Sequence, residues 1–232
     1  MERIATGLKF YLGFAPKFSR LGYENKGLDA RPVGADFSGQ RWLVTGASGG
    51  IGREIVLQAA DAGAVVVAVA RNASKLADLA DATDVSDLVE TRVRDLSLMA
   101  ETNALVDGLT ATGRRIDVLV NNVGVLLNDL SVTDEGFEAS FATNLLNHYL
   151  LTEEMIAREL LGPGSLVINM SSGGMYTAAL EPDDLDITDA ERHDGVMAHA
   201  RHKRAQVELT HHWNARYGPE ITFQVMHPGW VD

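Results

Sequence analysis

The segment AHARHKRAQ, residues 198–206, places His199 and Lys203 four residues apart. On a helix this spacing puts both side chains on one face, about one turn from each other. An imidazole beside an ammonium group is suited to moving a proton, but a basic turn on a helix surface has the same spacing. Both interpretations stay open until the elements around the segment are considered.

Strand-like and helix-like segments alternate along the chain from Arg41 onward. Six short apolar segments predict strands: RWLVT, AVVVAVA, LVETRV, IDVLVNN, SLVINMSS and ITFQVMHPG. Helical patterns between them cover residues 51–62, 75–82, 98–112, 137–161 and 197–217. Strands joined by helices favour right-handed crossovers, so this order predicts an α/β protein with a doubly wound parallel sheet in three layers, the Rossmann fold.

The segment VTGASGGIG follows the first predicted strand and opens the first predicted helix. Gly46, Gly50 and Gly52 lie where the backbone must turn tightly, approach a pyrophosphate and pack on the sheet. The helix N-terminus offers unpaired N–H groups to phosphates. A glycine trio in this context predicts a dinucleotide site, and a glycine-rich turn without a ligand is the alternative.

The glycine spacing in TGASGGIG resembles that of the short-chain dehydrogenase/reductase family, and further motifs follow in the family's order. They are NNVG at 121–124, Asn144 in FATNLL, Ser172 in NMSS and HPG at 227–229. The segments GYENKGLDA, SSGGM, KRAQ and MHPGW resemble the member-12 branch of the family. The resemblance runs from about residue 36 to the end of the chain and implies the Rossmann fold.

The resemblance also implies an NAD(P)-dependent oxidoreductase that interconverts a carbonyl and an alcohol by hydride transfer. In the family, a serine polarises the carbonyl and a tyrosine donates the proton. A lysine one turn later lowers the tyrosine pKa, and an asparagine steadies the lysine through a water. The matching positions here are Asn144, Ser172 and Lys203, with His199 at the tyrosine position.

Cofactor contacts are implied by the same resemblance and by the glycine turn. They fall on Gly46, Ser48, Gly50, Ile51, Gly52, Arg71, Asn72, Asp95, Leu96, Asn122, Gly124, Lys203, Pro228 and Gly229. An acid at the end of the second strand would bind the ribose 2′-hydroxyl and favour NAD(H), but this chain has Ala70 followed by Arg71. Because a guanidinium matches a 2′-phosphate, NADP(H) is favoured over NAD(H). The alternative is that Arg71 only caps the strand end at the surface.

The histidine at position 199 changes the expected chemistry. The ordinary pKa of an imidazole is ~6.5, whereas that of a tyrosine is ~10. The positive charges of Lys203 and an oxidised nicotinamide disfavour the imidazolium. His199 is then mostly neutral, a poor proton donor though a fair base, so we expect loss of much of the reductase rate. The alternative is a nucleotide-binding or regulatory protein of the same fold that has lost catalysis.

The composition and the net charge limit which other partners are expected. A formal net charge of −12 argues against a nucleic-acid partner, and a small-molecule substrate is expected. The chain has no cysteine, and its histidines lack the carboxylates of a convincing metal site. No apolar run reaches the roughly 18 residues that span a bilayer, so we expect a cytoplasmic protein. A homo-oligomer is also a possible state.

The predicted organisation is an N-terminal arm, residues 1–35, and a Rossmann-type domain, residues 36–232. The basic, aromatic residues 1–20 indicate either weak contact with a membrane surface or an arm that packs on the domain. The acidic insertion at 181–195 is either a solvated loop or a cover over the site. The sequence ends soon after HPG, where family members continue, so we expect a sheet without the family's seventh strand. Whether that end is natural or a truncation stays open.

Overall fold

A computed structural model of the chain describes Glu24 and residues 34–229. Residues Asp36–Met226 form one compact unit. The basic, aromatic segment at residues 1–20, for which a membrane contact was predicted, lies outside the described residues.

The sheet is parallel and, in the part of the chain that the structure describes, has six strands in the order β3-β2-β1-β4-β5-β6. The strands are β1 Arg41–Thr45, β2 Val65–Ala70, β3 Val89–Val93, β4 Val118–Asn121, β5 Leu166–Met170 and β6 Thr222–Met226. The predicted doubly wound Rossmann fold is confirmed. The strand order reverses between β1 and β4, and a crevice forms outside the carboxyl ends of strands at such a point.

Helices connect the strands. They are α1 Gly50–Asp61, α2 Ala73–Ala80, α3 Met99–Thr110, α4 Ala139–Phe141, α5 Asn147–Ala157 and α6 Gly195–Tyr217. Short 3₁₀ segments lie at Ser86–Leu88, Gly173–Tyr176 and Pro182–Asp184. The segment Gly173–Tyr176 begins three residues after the last residue of β5 and packs on α6.

The single helix predicted over 137–161 is wrong in detail. A π-helical turn, Ala142–Leu146, separates α4 from α5, and α5 ends at Ala157. Glu159 then takes a φ of 58°, which turns the backbone out of the helix and lets Leu160 and Leu161 enter the core. Apolar periodicity detects neither the inserted residue of a π turn nor the early end, because the apolar pattern continues through both.

Helices pack on both faces of the sheet, and the side chains of each strand alternate between the two faces. Leu43 of β1 and Val67 of β2 join a core cluster formed with α3, α5 and α6. Their neighbours Val44 and Val66 point to the opposite face and join a cluster formed with α1 and α2. This arrangement is the predicted three-layer α/β/α architecture.

The central strand gives a prediction about stability. Leu43 is 0% exposed, and Leu43→Ala is expected to lower the free energy of unfolding by about 2–5 kcal/mol through lost burial and a residual cavity. The measurement is urea unfolding followed by circular dichroism. As a control, Leu126→Ala at a side chain that is 48% exposed should change that free energy by less than about 0.5 kcal/mol. Equal effects of the two changes would contradict the assignment of the core.

Candidate active site

The turn between β1 and α1 depends on close contacts that only glycine permits. A Cβ at Gly52 would lie 2.3 Å from the Gly46 carbonyl oxygen, and a Cβ at Gly46, whose φ is +66°, would lie 2.9 Å from Val123 Cα. Nothing in the described chain lies within 4 Å of a Cβ built at Gly49 or Gly50. The N-terminus of α1 is therefore open at this turn, and its N–H groups are available to a phosphate.

Asn122 ties this turn to the end of β4. Its Nδ2 donates to the Thr45 carbonyl oxygen at 2.9 Å, and its backbone N–H donates to Thr45 Oγ1 at 3.0 Å. Thr45 Oγ1 in turn donates to the Val120 carbonyl at 3.2 Å. Asn122 thus shapes the turn through the backbone, and Thr45 is a supporting residue that the sequence reasoning missed.

A cleft of about 190 Å³ opens beside the glycine turn. Of the residues predicted to contact a cofactor, it is lined by Gly46, Ser48, Arg71, Asp95, Leu96 and Gly124. A larger cavity of about 690 Å³ shares Arg71 and Asp95 with it. Arg71 is exposed and makes no ion pair within the described residues.

Three other predicted cofactor residues are not among the residues that line this cleft. Asn72 does not line the cleft, because it caps α2: its Oδ1 accepts from the Lys75 N–H at 3.0 Å. Pro228 and Gly229 follow β6 and fall outside the compact unit. The Gly229 N–H donates to His227 Nδ1 at 3.0 Å.

Lys203 is a buried cation, 5% exposed, on the face of α6 that meets the end of β5. Its Nζ donates to the Met170 carbonyl oxygen at 2.7 Å. Burial lowers the pKa of Lys203 to about 8, because desolvation disfavours the ammonium form. A Cβ at Gly124 would lie 3.3 Å from both Lys203 Nζ and Asn144 Oδ1, so the structure brings these two predicted residues together on either side of Gly124.

Asn144 is fully buried in the π turn and pairs with the backbone of Val125. Its Oδ1 accepts from the Val125 N–H at 2.7 Å, and its Nδ2 donates to the Val125 carbonyl oxygen at 2.8 Å. His199 Nδ1 lies 3.1 Å from the same carbonyl oxygen. Val125, the residue after the NNVG motif, therefore joins Asn144 to His199.

The pKa of His199 is lowered from its usual value, first by burial and then by the charge of Lys203, while the hydrogen bond to Val125 opposes both.

The sequence reasoning missed two buried residues that contact this cluster, Gln206 and His148. Gln206 Nε2 donates to the Asn144 carbonyl oxygen at 2.6 Å and lies 2.9 Å from His148 Nδ1. Gln206 follows Lys203 by three residues, and that helical spacing was the signal available for finding it.

His148 is buried beneath this cluster, and its Nε2 lies 2.9 Å from the Val123 carbonyl oxygen. Burial, followed by the charge of Lys203, lowers the pKa of His148 to about 3, so the ring is neutral at neutral pH. A carbonyl only accepts, so Nε2 carries the hydrogen and Nδ1 accepts from Gln206. The ring is a fixed structural support with both nitrogens occupied.

Ser172 caps the 3₁₀ segment that packs on α6. Its Oγ accepts from the Gly174 N–H at 3.4 Å. A Cβ at Gly174 would lie 3.5 Å from Ala200 Cα and 3.9 Å from His199 Cδ2. The elements that carry Ser172 and His199 are therefore in contact. Tyr176, at the far end of the 3₁₀ segment, is 51% exposed.

The acidic insertion after Ser172 is tied to the rest of the site by polar contacts. They join Asp184 to Arg201 at 3.1 Å, Leu185 to His202 at 2.7 Å and Asp186 to Glu138 at 2.8 Å. Two of these partners lie on α6, in the turn that leads to Lys203. The insertion is thus a segment anchored beside the predicted site.

Two kinds of feature are absent from the described residues, a metal-binding cluster and a membrane-spanning helix. No group of three or more histidine, aspartate or glutamate side chains in that part of the chain is arranged to hold a metal ion. No described helix combines the length and the apolar character that crossing a membrane requires.

A dinucleotide-dependent oxidoreductase needs its phosphate turn and its proton-handling groups at one edge of the sheet, and this chain places them there. A family model described as short chain dehydrogenase matches residues 40–181. The chain therefore belongs to the short-chain dehydrogenase/reductase family and is an oxidoreductase of the NAD(P)-dependent kind, as the motifs implied.

Individual relatives agree with this assignment. The chain is 35% identical to bovine (Bos taurus) dehydrogenase/reductase SDR family member 12 over 93% of its own length and 69% of that protein. It is 29% identical to human (Homo sapiens) retinol dehydrogenase 13 over 86% of its length and 61% of that protein. A blue fluorescent protein from a metagenomic library, solved in complex with NADPH, superposes with a TM-score of 0.67 at 26% identity, covering 85% of this chain and 76% of that one.

The buried amide of Gln206 gives a prediction about stability. Gln206→Leu leaves His148 Nδ1 without its donor and removes one hydrogen bond to the Asn144 carbonyl, and should lower the free energy of unfolding by about 1–3 kcal/mol. Urea unfolding measures this change. The control is Arg204→Ala on the same helix, which removes a surface ion pair with Glu208 and should cost at most about 1 kcal/mol. A neutral effect of Gln206→Leu would mean that the amide supports nothing.

Proposed function

We propose that this chain is an NADP(H)-dependent short-chain dehydrogenase/reductase that interconverts a small-molecule carbonyl and its alcohol, with His199 in place of the family's tyrosine. The observation that carries the proposal is the pairing at Val125, whose carbonyl oxygen contacts both Asn144 and His199. Asn144, Ser172, His199 and Lys203 are the proposed catalytic set.

The residues at the glycine turn fit a nicotinamide dinucleotide. The open space above Gly49 and Gly50 can accept a phosphate at the N-terminus of α1, and Lys203 suits a ribose hydroxyl. Asp95 and Leu96 would contact the adenine end. When bound, this cofactor supplies the two-electron carrier for the reaction.

The protein's own groups orient the substrate and handle the proton. In this proposal Ser172 Oγ donates a hydrogen bond to the substrate oxygen, and the Lys203 ammonium stabilises negative charge that develops there. Carbonyl reduction also needs a proton. A neutral His199 has a single N–H, and that hydrogen is directed at Val125. Reductase activity is therefore expected to be weak at neutral pH.

Two observations support NADP(H) as the preferred cofactor. Strand β2 ends at Ala70, so no carboxylate stands at its end to bind a ribose 2′-hydroxyl or repel a phosphate. Arg71 lines the cleft with a guanidinium that has no ion pair in the described chain. The relative solved with NADPH is consistent with this preference.

Arg71 gives a prediction about cofactor choice. Arg71→Ala should weaken NADPH binding about tenfold or more, because it removes a charge-assisted hydrogen bond worth about 1.5–3 kcal/mol, and should change NADH binding much less. Fluorescence titration with each nucleotide measures both affinities. Arg53→Ala, at a half-buried arginine paired with Glu54 on α1, is the matched control and should change neither. Equal losses for NADPH and NADH would contradict the role of Arg71.

A second candidate function is supported by His199 itself. A site without the tyrosine is compatible with a nucleotide-binding or regulatory protein that turns over slowly or not at all. Turnover measurements distinguish this candidate from the first, because both of them require NADPH binding.

The tyrosine position gives the test of the function. We expect the native chain to bind NADPH and to reduce a panel of aldehydes and ketones, retinal included, only slowly at neutral pH. His199→Tyr should raise kcat/KM for reduction by at least about tenfold, because general acid catalysis typically contributes about 10²–10⁴-fold. His211→Tyr, at an exposed histidine of α6, is the control.

The outcomes separate the two candidates. Slow reduction by the native chain and the control, with faster reduction by His199→Tyr, supports a weakened enzyme. NADPH binding without turnover in either protein supports the regulatory candidate. Absence of NADPH binding would contradict both. A cytoplasmic location, a membrane-surface contact through residues 1–20 and a homo-oligomer stay predictions from the sequence.

A further inference from the structure

The hydrogen bond at Val125 fixes the tautomer of His199. Nδ1 lies 3.1 Å from the Val125 carbonyl oxygen, which can only accept, so Nδ1 carries the hydrogen. A neutral imidazole has one N–H, so Nε2 carries a lone pair. The carbonyl cannot turn away to release the ring, because Asn144 Nδ2 also donates to it at 2.8 Å.

The lone pair of Nε2 is accessible. Nε2 makes no hydrogen bond within the described residues. It is absent from the set of fully buried side-chain atoms that lack a partner, so part of its surface is exposed in the described chain. The neighbouring carbon, Cδ2, lies toward Gly174, where the absence of a side chain leaves room beside the ring. Gly174 belongs to the 3₁₀ segment that Ser172 caps, so Nε2 and the serine lie on adjoining elements.

The charged and titratable groups around His199 favour its neutral form. Lys203 and His202 are its neighbours on α6, and both are cationic when protonated. The segment after β4 presents the uncharged backbone of Val125, and the 3₁₀ segment carries Tyr176 as its titratable group. No carboxylate among the described residues contributes to the pKa of His199, which burial and Lys203 lower.

We propose that His199 Nε2 is the general base of alcohol oxidation at this site, with primary or secondary alcohols as the substrates of that direction. The inference rests on the proposed function and names the atom that accepts the proton. That atom is the ring nitrogen that carries the lone pair.

The step balances in atoms and electrons. The substrate O–H bond breaks and its proton forms a bond to Nε2. The carbinol C–H bond breaks with its electron pair passing as hydride to the oxidised nicotinamide, and the carbon–oxygen double bond forms. The imidazolium keeps its Nδ1–H on the Val125 carbonyl, which stabilises the added charge, and later releases the Nε2 proton to solvent.

The pH dependence follows from the same assignment. Oxidation uses the neutral ring, so its kcat/KM should be flat above the His199 pKa, which is lowered from the usual value, and should fall below it. Reduction uses the imidazolium, so its kcat/KM should fall about tenfold for each pH unit above that pKa. A tyrosine at this position would move both breaks to higher pH.

The tautomer can be tested without substrate or cofactor. Long-range nitrogen-15 NMR correlation spectra distinguish the protonated from the unprotonated ring nitrogen, and the His199 signals are those missing from His199→Gln. We expect protonated Nδ1 and unprotonated Nε2 at neutral pH. A hydrogen on Nε2, or an imidazolium at neutral pH, would overturn the assignment.

The kinetic test uses the full chain with NADP⁺ and a panel of primary and secondary alcohols, from about pH 5 to about pH 9. The native protein should oxidise at a rate that is flat through neutral pH. His199→Tyr should shift the break upward, and His199→Gln should lose about 100-fold or more in kcat/KM with NADPH binding kept. His211→Gln is the control and should leave the profile unchanged.

Each outcome has a distinct meaning. An unchanged pH profile in His199→Tyr, or full oxidation by His199→Gln, would overturn the base assignment. NADPH binding without alcohol oxidation by the native chain would also overturn it, and would leave the cofactor proposal in place. Loss of NADPH binding in the native chain would overturn the proposed function, while the NMR spectra would still report the tautomer.

Discussion

The backbone of Val125 is held on both its polar groups by one side chain. Asn144 accepts from its N–H and donates to its carbonyl, as a neighbouring β-strand would. This pairing fixes the backbone of the segment that follows β4, although that segment no longer belongs to the sheet. The fixed carbonyl then orients the ring of His199, which comes from a helix far along the chain. The imidazole is thereby positioned relative to the backbone of this one residue.

A buried polar layer supports that arrangement from below. The Lys203 ammonium loses solvation, which lowers its pKa to about 8, and recovers a hydrogen bond at the end of β5. Asn121 donates to Asn169 and Asn169 donates to Thr210, each at 3.0 Å, linking β4, β5 and α6. Buried amides are costly unless they are paired, so this chain of bonds specifies one register of the helix against the sheet.

The sequence predicted the fold well because each strand is a short segment that contains apolar or β-branched residues and is bounded by turn residues. The strands β1 to β6 lie within the predicted segments. It failed over residues 137–161, since a π turn leaves the apolar pattern intact. It located Asn144, Lys203 and His199 by motif, but it missed His148 and Gln206, whose roles depend on contacts across the fold. Asn72 was assigned to the cofactor, and the structure shows its side chain capping α2.

The sequence by itself determined the residue types: a glycine turn after the first strand, a lysine with a histidine one turn before it, and no acid at the end of the second strand. Those are local facts, fixed by neighbours in the chain. The state of His199 was decided only by the tertiary structure, because the carbonyl that selects its tautomer lies 74 residues away in sequence. A carbonyl can only accept, and so the fold turned a residue of open role into one whose lone pair is on Nε2.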